Sequence, residues 1–192
     1  MSGGSVQHGL TAAINISSSS LLRWAADKHK LLGLRGSIIV ADVFISYSAK
    51  DEELAQFVLS HLAAQGLTVF LASISLVPGE RWTPKIIEAL RASEWVCLLA
   101  SKNALASPNV QLEVGGAIFG KKKLVPIMWD IQPSELPRWI SDFQGLILTG
   151  ATLENINLQV AQLAASIKES KAKGQLVAGA VFAGLLWLLS KG

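Results

Sequence analysis

The chain has 192 residues, room for one α/β domain of about 130 to 150 residues with short extensions rather than for two full domains. Hydrophobic residues make up 51% and charged residues 16%, against typical values of roughly 45 to 50% and about 25%, which excludes a disordered chain and leaves apolar surface for lipid or a partner. The net charge of +3 comes mostly from short Lys groups (Lys121 to Lys123; Lys168, Lys171, Lys173), not the clustered Arg, Lys and aromatics of a nucleic-acid face, and a lone Cys97 excludes disulfide scaffolds and Cys-ligated metal sites.

Residues 1–37 form a Gly- and Ser-rich arm around one helical stretch. There Ser17 to Ser20 can cap a helix in which Leu21, Trp24, Ala25, Leu31 and Leu32 recur at spacings of three and four. The opening MSGGSVQHG lacks the basic start and unbroken apolar stretch of a secretory signal. From Ser37 to about Ser170, short apolar runs alternate with helix-length amphipathic stretches, the signature of βαβ units. Strands are predicted at Ile38 to Ser46, Thr68 to Ala72, Trp95 to Ala100, Leu124 to Trp129 and Leu146 to Leu148. Helices are predicted at Glu52 to Gln65, Thr83 to Ala92, Asn109 to Gly120 and Asn155 to Ser170, with Gly66 as a C-cap and Pro84 and Pro108 at helix starts. The strands are almost continuously apolar, so helices should cover both sheet faces. The expected fold of residues 38–170 is an α/β three-layer sandwich with a five-stranded parallel sheet.

Residues 174–190 are expected to form a separate hydrophobic helix, because Leu176 to Leu189 is an uncharged run of fourteen. At about 1.5 Å per residue the stretch from Gly174 to Ser190 reaches only about 25 Å, short of the roughly 30 Å core of a bilayer. It is nonetheless apolar all round and carries Trp187 near its end, so membrane insertion is expected, with the preceding lysines holding the α/β domain on the cytoplasmic side. The alternative is packing in an assembly, for which Gly179 with Ala183 and Ala180 with Gly184 offer small-residue pairs.

Ligands of open parallel sheets bind beyond the carboxyl ends of the strands, where strand order reverses. The loops to inspect are Tyr47 to Asp51, Ser73 to Trp82, Ser101 to Pro108 and Asp130 to Pro137. No strand runs into GxGxxG, no GxxxxGK[ST] is present, and His8, His29 and His61 are too scattered for metal hydrolysis or a Ser-His-Asp triad. One carboxylate remains, Glu113, in the early turns of the helix opened by Pro108 and Asn109, where the positive end of the helix dipole favours its ionised form. Taken alone, it reads first as an acid of the kind enriched in first turns for helix stability. Gly115 and Gly116 follow it, each costing about 1 kcal/mol relative to Ala in a helix, which suggests close approach by a neighbour.

DVFISYSAKDE (Asp42 to Glu52), SISLVPGERW (Ser73 to Trp82) leading into TPKIIEAL, and SPNVQLEVGGAIFGKKKLVPIMWD (Ser107 to Asp130) resemble the successive motifs of a Toll/interleukin-1 receptor (TIR) domain. The similarity runs in order from about Asp42 to Leu148 and departs near its end, where the family often shows Phe-Trp and this chain has Phe143, Gln144 and Gly145. The resemblance implies a flavodoxin-like fold and one of two roles. Some members are non-catalytic scaffolds that assemble through the loop after the second strand; others cleave NAD at the nicotinamide-ribosyl bond. NAD would be substrate, with no cofactor and no metal.

In the enzymes a Glu early in the third helix is essential, and Glu113 aligns with it. Nicotinamide leaves as a neutral molecule from a cationic ring, so one carboxylate suffices where glycosidases use two. Trp82, at the end of the loop containing Pro78 and Gly79, matches an aromatic that stacks on substrate rings, or is a packing Trp. Ser46, Tyr47 and Ser48 line the end of the first strand as substrate-binding candidates, with Tyr47 alternatively at the core edge. Asn109, also a candidate, stands four residues before Glu113 where an aromatic is frequent, and Ser48 and Ala49 stand where animal enzymes carry arginines. The resemblance further implies activity on self-association, in a cytoplasm-facing, membrane-tethered effector of bacterial defence or cell suicide.

Overall fold

The computed structural model describes residues 41–72 and 84–189, with side chains as far as 174 apart from Lys85. The arm 1–37, the start of the first predicted strand, and the loop holding Pro78, Gly79 and Trp82 lie outside the described residues. Five strands form one parallel sheet: β1 Val43–Ser46, β2 Val69–Ala72, β3 Trp95–Ala100, β4 Lys123–Met128 and β5 Leu146–Ile147. Their order is β2-β1-β3-β4-β5, as expected of a flavodoxin-like doubly wound sheet. The helices are α1 Glu52–Ala64, α2 Pro84–Ala92, α3 Lys102–Leu105, α4 Pro108–Phe119, α5 Arg138–Ser141 and α6 Leu153–Leu189.

Strand side chains alternate between the faces, so each apolar run feeds two cores. Val43, Ile45, Cys97, Leu99, Val125 and Ile127 meet Val58 and Leu62 of α1 and Val160 and Ile167 of α6. Phe44, Val96, Leu98, Leu124 and Met128 meet Leu90 of α2 and Val110, Val114 and Ala117 of α4. Both faces are therefore covered, as the unbroken apolar strands require.

At the amino end of the sheet, ions fasten the layers. Asp42 accepts from the Thr68 backbone N–H at 2.9 Å through one oxygen and pairs with Lys171 of α6 at 2.7 Å through the other. Lys123 pairs with Glu94 at 2.7 Å and lies 5.0 Å from the centre of the Trp95 ring.

Two expectations require correction. The helices predicted at 155–170 and 174–190 are one continuous element, α6, because the junction Lys171 to Gln175 contains a single Gly174, whose cost of about 1 kcal/mol does not stop a helix. Among the described residues no helix is long and apolar enough to cross a membrane, so the expected membrane-spanning tail is not supported. The physical reason is length: fourteen helical residues reach about 21 Å against a core of roughly 30 Å.

Gly116 meets the close neighbour anticipated for it, since a Cβ there would stand 3.3 Å from Leu90 Cδ2, whereas Gly115 faces open space. The tightest glycine is Gly145, just before β5: a Cβ would lie 2.2 Å from the Pro126 carbonyl oxygen of β4. That backbone contact cannot yield without moving a strand, which accounts for the glycine at this position. Gly145→Ala should cost about 1–3 kcal/mol, as overpacking does, while Gly115→Ala should gain up to about 1 kcal/mol. Urea unfolding of both variants checks the pair, and equal stabilities would contradict the packing described.

Candidate active site

Ser46 ends β1 on the same side of the strand as Phe44 and faces α4. The α4 helix is opened by Ser107, whose Oγ accepts from the Val110 N–H at 3.5 Å, and by Pro108 at its first position. Its buried positions are Val110, Glu113, Val114 and Ala117, the three-and-four spacing of a core-facing stripe. An acid therefore occupies a position in the stripe that packing alone would fill with an apolar residue. The Glu113 side chain is 0% exposed and meets the carboxyl end of β1, beside β3. This is the point where the strand order reverses.

The Ser46 hydroxyl donates to Glu113 Oε2. Glu113 Oε1 is buried and has no hydrogen-bond partner among the described residues. Burial pushes the Glu113 carboxyl up to about 8, and the hydrogen bond from Ser46 opposes that rise. The expectation that the helix dipole would keep Glu113 ionised is thus overturned. No acid lies in the first turn of α4, the dipole fades beyond that turn, and desolvation governs.

Two further hydroxyl–carboxyl pairs stand at the same edge of the sheet. Ser101, directly after β3, donates to Asp51 Oδ2 at 2.5 Å while its Oγ accepts from the Ala104 N–H at 2.9 Å, tying the loop after β1 to the start of α3. Burial raises the Asp51 carboxyl above its usual range, against hydrogen bonds from Ser101 and Asn103, with the neighbouring Asp130 adding to the rise. Tyr47 donates to Glu52 Oε2. Asp51 and Ser101 were not singled out in the sequence, although both fall in strand-end loops that were; nothing in a one-residue-wide signal distinguishes a buried pair from a solvated loop.

Of the expected site residues, the structure brings Ser46 and Glu113 together and sets Asn109, half-buried, one turn before Glu113 on α4. Tyr47 is 3% exposed and packs in the other core with Ile45 and Leu54, which is the core-edge alternative. Ser48 caps the short turn Ala49–Asp51, its Oγ accepting from the Lys50 N–H at 3.4 Å. Pro78, Gly79 and Trp82 lie outside the described residues.

Glu113 couples this site to stability. Its folded value lies above the ordinary carboxyl value of 4.5, so the folded state holds the proton more tightly. That contribution is complete below about pH 4.5 and is lost as pH rises through about 8. Across this window the stability of the native protein relative to Glu113→Gln should fall by something on the order of 4 kcal/mol. Denaturant melts of the two proteins from pH 5 to 9 measure the difference; parallel curves would show Glu113 ionised throughout.

Comparison with known proteins adds the following. A family model described as TIR domain matches residues 43–164. A probable 2′ cyclic ADP-D-ribose synthase of Brachypodium distachyon is 29% identical over 120 residues, 60% of this chain and 53% of that protein. An uncharacterised protein of Sinorhizobium fredii is 31% identical over 90 residues, 43% of this chain and 14% of that protein. The chain thus spans about half or less of the length of these curated relatives. Among solved structures, the TIR domain of a Toll-related receptor from Hydra magnipapillata superposes with a TM-score of 0.54 at 18% identity, covering 67% of this chain and 98% of that one. A TIR-STING receptor of C. gigas superposes with a TM-score of 0.52 at 22% identity, covering 68% of this chain and 41% of that one. At such identities the two structures bear on the fold alone.

Proposed function

We propose, from the premise that this chain belongs to the TIR domain family, that it consumes NAD by breaking the nicotinamide-ribosyl bond on self-association, with Glu113 as the catalytic carboxyl. The observation that carries the reading is a wholly buried acid with one oxygen unpartnered, at the point where the sheet's strand order reverses. The relative described as a cyclic ADP-ribose synthase supports NAD as the substrate class.

The chemistry needs one anion. As the C1′–N bond breaks, its electron pair leaves with nicotinamide, which departs neutral and requires no proton, and positive charge passes to the ribose ring. An ionised Glu113 offsets that charge or accepts from the ribose hydroxyls, and water or a hydroxyl or ring nitrogen of the same molecule closes the bond to C1′, an attacking water or hydroxyl giving up its proton to solvent. A carboxyl held at about 8 is poised near the working pH, and a cationic nicotinamide ring beside it would draw it toward the charged form. Asn109, one turn along α4, is placed for a polar contact to the same ligand. The Pro78, Gly79 and Trp82 loop would supply the stacking face, and Ser48 a polar rim.

Apolar side chains left bare on α4, Leu112 at 60% and Phe119 at 92% exposure, support self-association. A role in immune defence or cell suicide follows if depletion of NAD is the output. The second reading, a non-catalytic scaffold, is favoured by a specific observation: a carboxyl that is 0% exposed cannot touch substrate until it is uncovered.

Purified full-length protein should consume NAD increasingly steeply with its own concentration, and Glu113→Gln, which keeps size and removes the charge, should lose at least a hundredfold in rate. Chromatography of the products separates ADP-ribose from a cyclic form. Absence of turnover by the native protein at every concentration, or equal turnover by Glu113→Gln, leaves the scaffold.

A further inference from the structure

Ser46 was a substrate-binding candidate, yet it is 0% exposed and its hydroxyl is committed to Glu113. Its place is set by the sheet: β1 pairs Ser46 with Ala72 of β2 on one side and with Leu98 of β3 on the other. Glu113 is held by a helix whose neighbours Val110, Val114 and Ala117 are all in the core. A strand residue and a helix residue, each fixed by its own packing, therefore meet through a single hydrogen bond.

We propose that Ser46 is the positioning residue for Glu113, holding Oε2 so that Oε1 is the oxygen presented to the ligand. The inference rests on the reading that Glu113 acts on NAD. A carboxyl inside an apolar stripe can rotate about its last bond and exchange its oxygens; a donor on one oxygen removes that freedom. The other oxygen, buried and without a partner, is then an unmet polar group that a hydroxyl of the ligand can satisfy, by accepting from the protonated carboxyl or donating to the carboxylate.

The same bond acts on charge, because donation to a carboxylate stabilises its ionised form. Few other groups compete. On the elements packed against α4, the described ionisable side chains are Lys102 of α3, Glu88 and Arg91 of α2, Lys123 of β4 and Cys97 of β3. None of them shifts Glu113, which burial raises and the Ser46 hydrogen bond lowers.

The test begins without substrate. The Glu113 side-chain carbon is followed by NMR against pH in full-length protein labelled at glutamate, assigned by its loss in Glu113→Gln. The native protein should titrate near 8, Ser46→Ala and Ser46→Cys at higher pH with about tenfold less ionised form at pH 8, and Ser46→Thr, which keeps the hydroxyl, near the native position. Ser46→Cys separates loss of the donor from loss of packing. In NAD turnover the acid limb of the pH profile should move with the titration, kcat below pH 8 falling about tenfold in Ser46→Ala with KM within about twofold. An unchanged Glu113 titration in folded Ser46→Ala and Ser46→Cys overturns the proposal, as does a uniform loss of turnover with no movement of the pH limb. If the titration moves but the native protein turns over no NAD, the NAD reading fails and the positioning of Glu113 by Ser46 stands.

Discussion

A carboxyl group placed where the packing calls for a hydrocarbon is the constraint on which this molecule turns. Glu113 could escape desolvation only by leaving the stripe that α4 presses against the sheet, and Val110, Val114 and Ala117 on the same stripe prevent it. The group therefore stays, gives up its charge at neutral pH, and takes a hydrogen bond from the nearest rigid donor, Ser46. Sheet order completes the arrangement. With β1 at the centre of β2-β1-β3, the helices after β1 and β3 part to opposite faces, and this serine and this carboxyl lie buried at the point where they part.

The two ends of the sheet use charge in opposite ways. At the amino end, carboxylates meet ammonium groups: Asp42 with Lys171 and Glu94 with Lys123. At the carboxyl end, Glu113, Asp51 and Glu52 are met by the hydroxyls of Ser46, Ser101 and Tyr47. An acid neutralised by a lysine has spent its field on that partner. An acid held by a neutral hydroxyl keeps its field available; burial raises both Glu113 and Asp51, and it holds Glu113 near 8, so that a nearby cation would favour its charged form. This polarity would suit the proposed binding of a positively charged ring at one edge, while the ion pairs at the other lock the layers together.

The sheet was legible in the sequence because its signal is redundant. Every strand is apolar on both sides, and the runs around Ile45, Leu98 and Ile127 report burial on two faces at once. The four-residue helices α3 and α5 were not, since one turn is too short to display a 3.6-residue period. The unbroken α6 was missed for the converse reason: a change of composition near Lys173 looks like a boundary, while the backbone sees only one weak residue, Gly174. Within the site, the position of Glu113 near a helix start was readable, but its charge state was not. Proximity to the helix start argued for an anion, and the burial that outweighs it depends on which residues of other elements close over α4. The sequence did hold a usable clue, the acid standing in register with Val110, Val114 and Ala117.

A buried carboxyl oxygen without a donor costs about 1–3 kcal/mol, and the folded protein carries that cost at Glu113 Oε1. It is tolerated because the stripe around it pays in packing and because Oε2 is satisfied. A ligand hydroxyl at Oε1, accepting from the protonated carboxyl or donating to the carboxylate, would remove the penalty, while a ligand that brings positive charge favours loss of the proton that burial had retained. Both effects act only when a ligand is bound, so under the proposed function they would strengthen binding of a cationic sugar and leave a neutral apolar molecule without gain. On the proposed reading, the same unmet group that costs stability would make the site selective. Replacing Glu113 by leucine would be the simplest way to stabilise α4 and would erase that selectivity, which is the sense in which this fold gives up stability at one point in exchange for chemistry there.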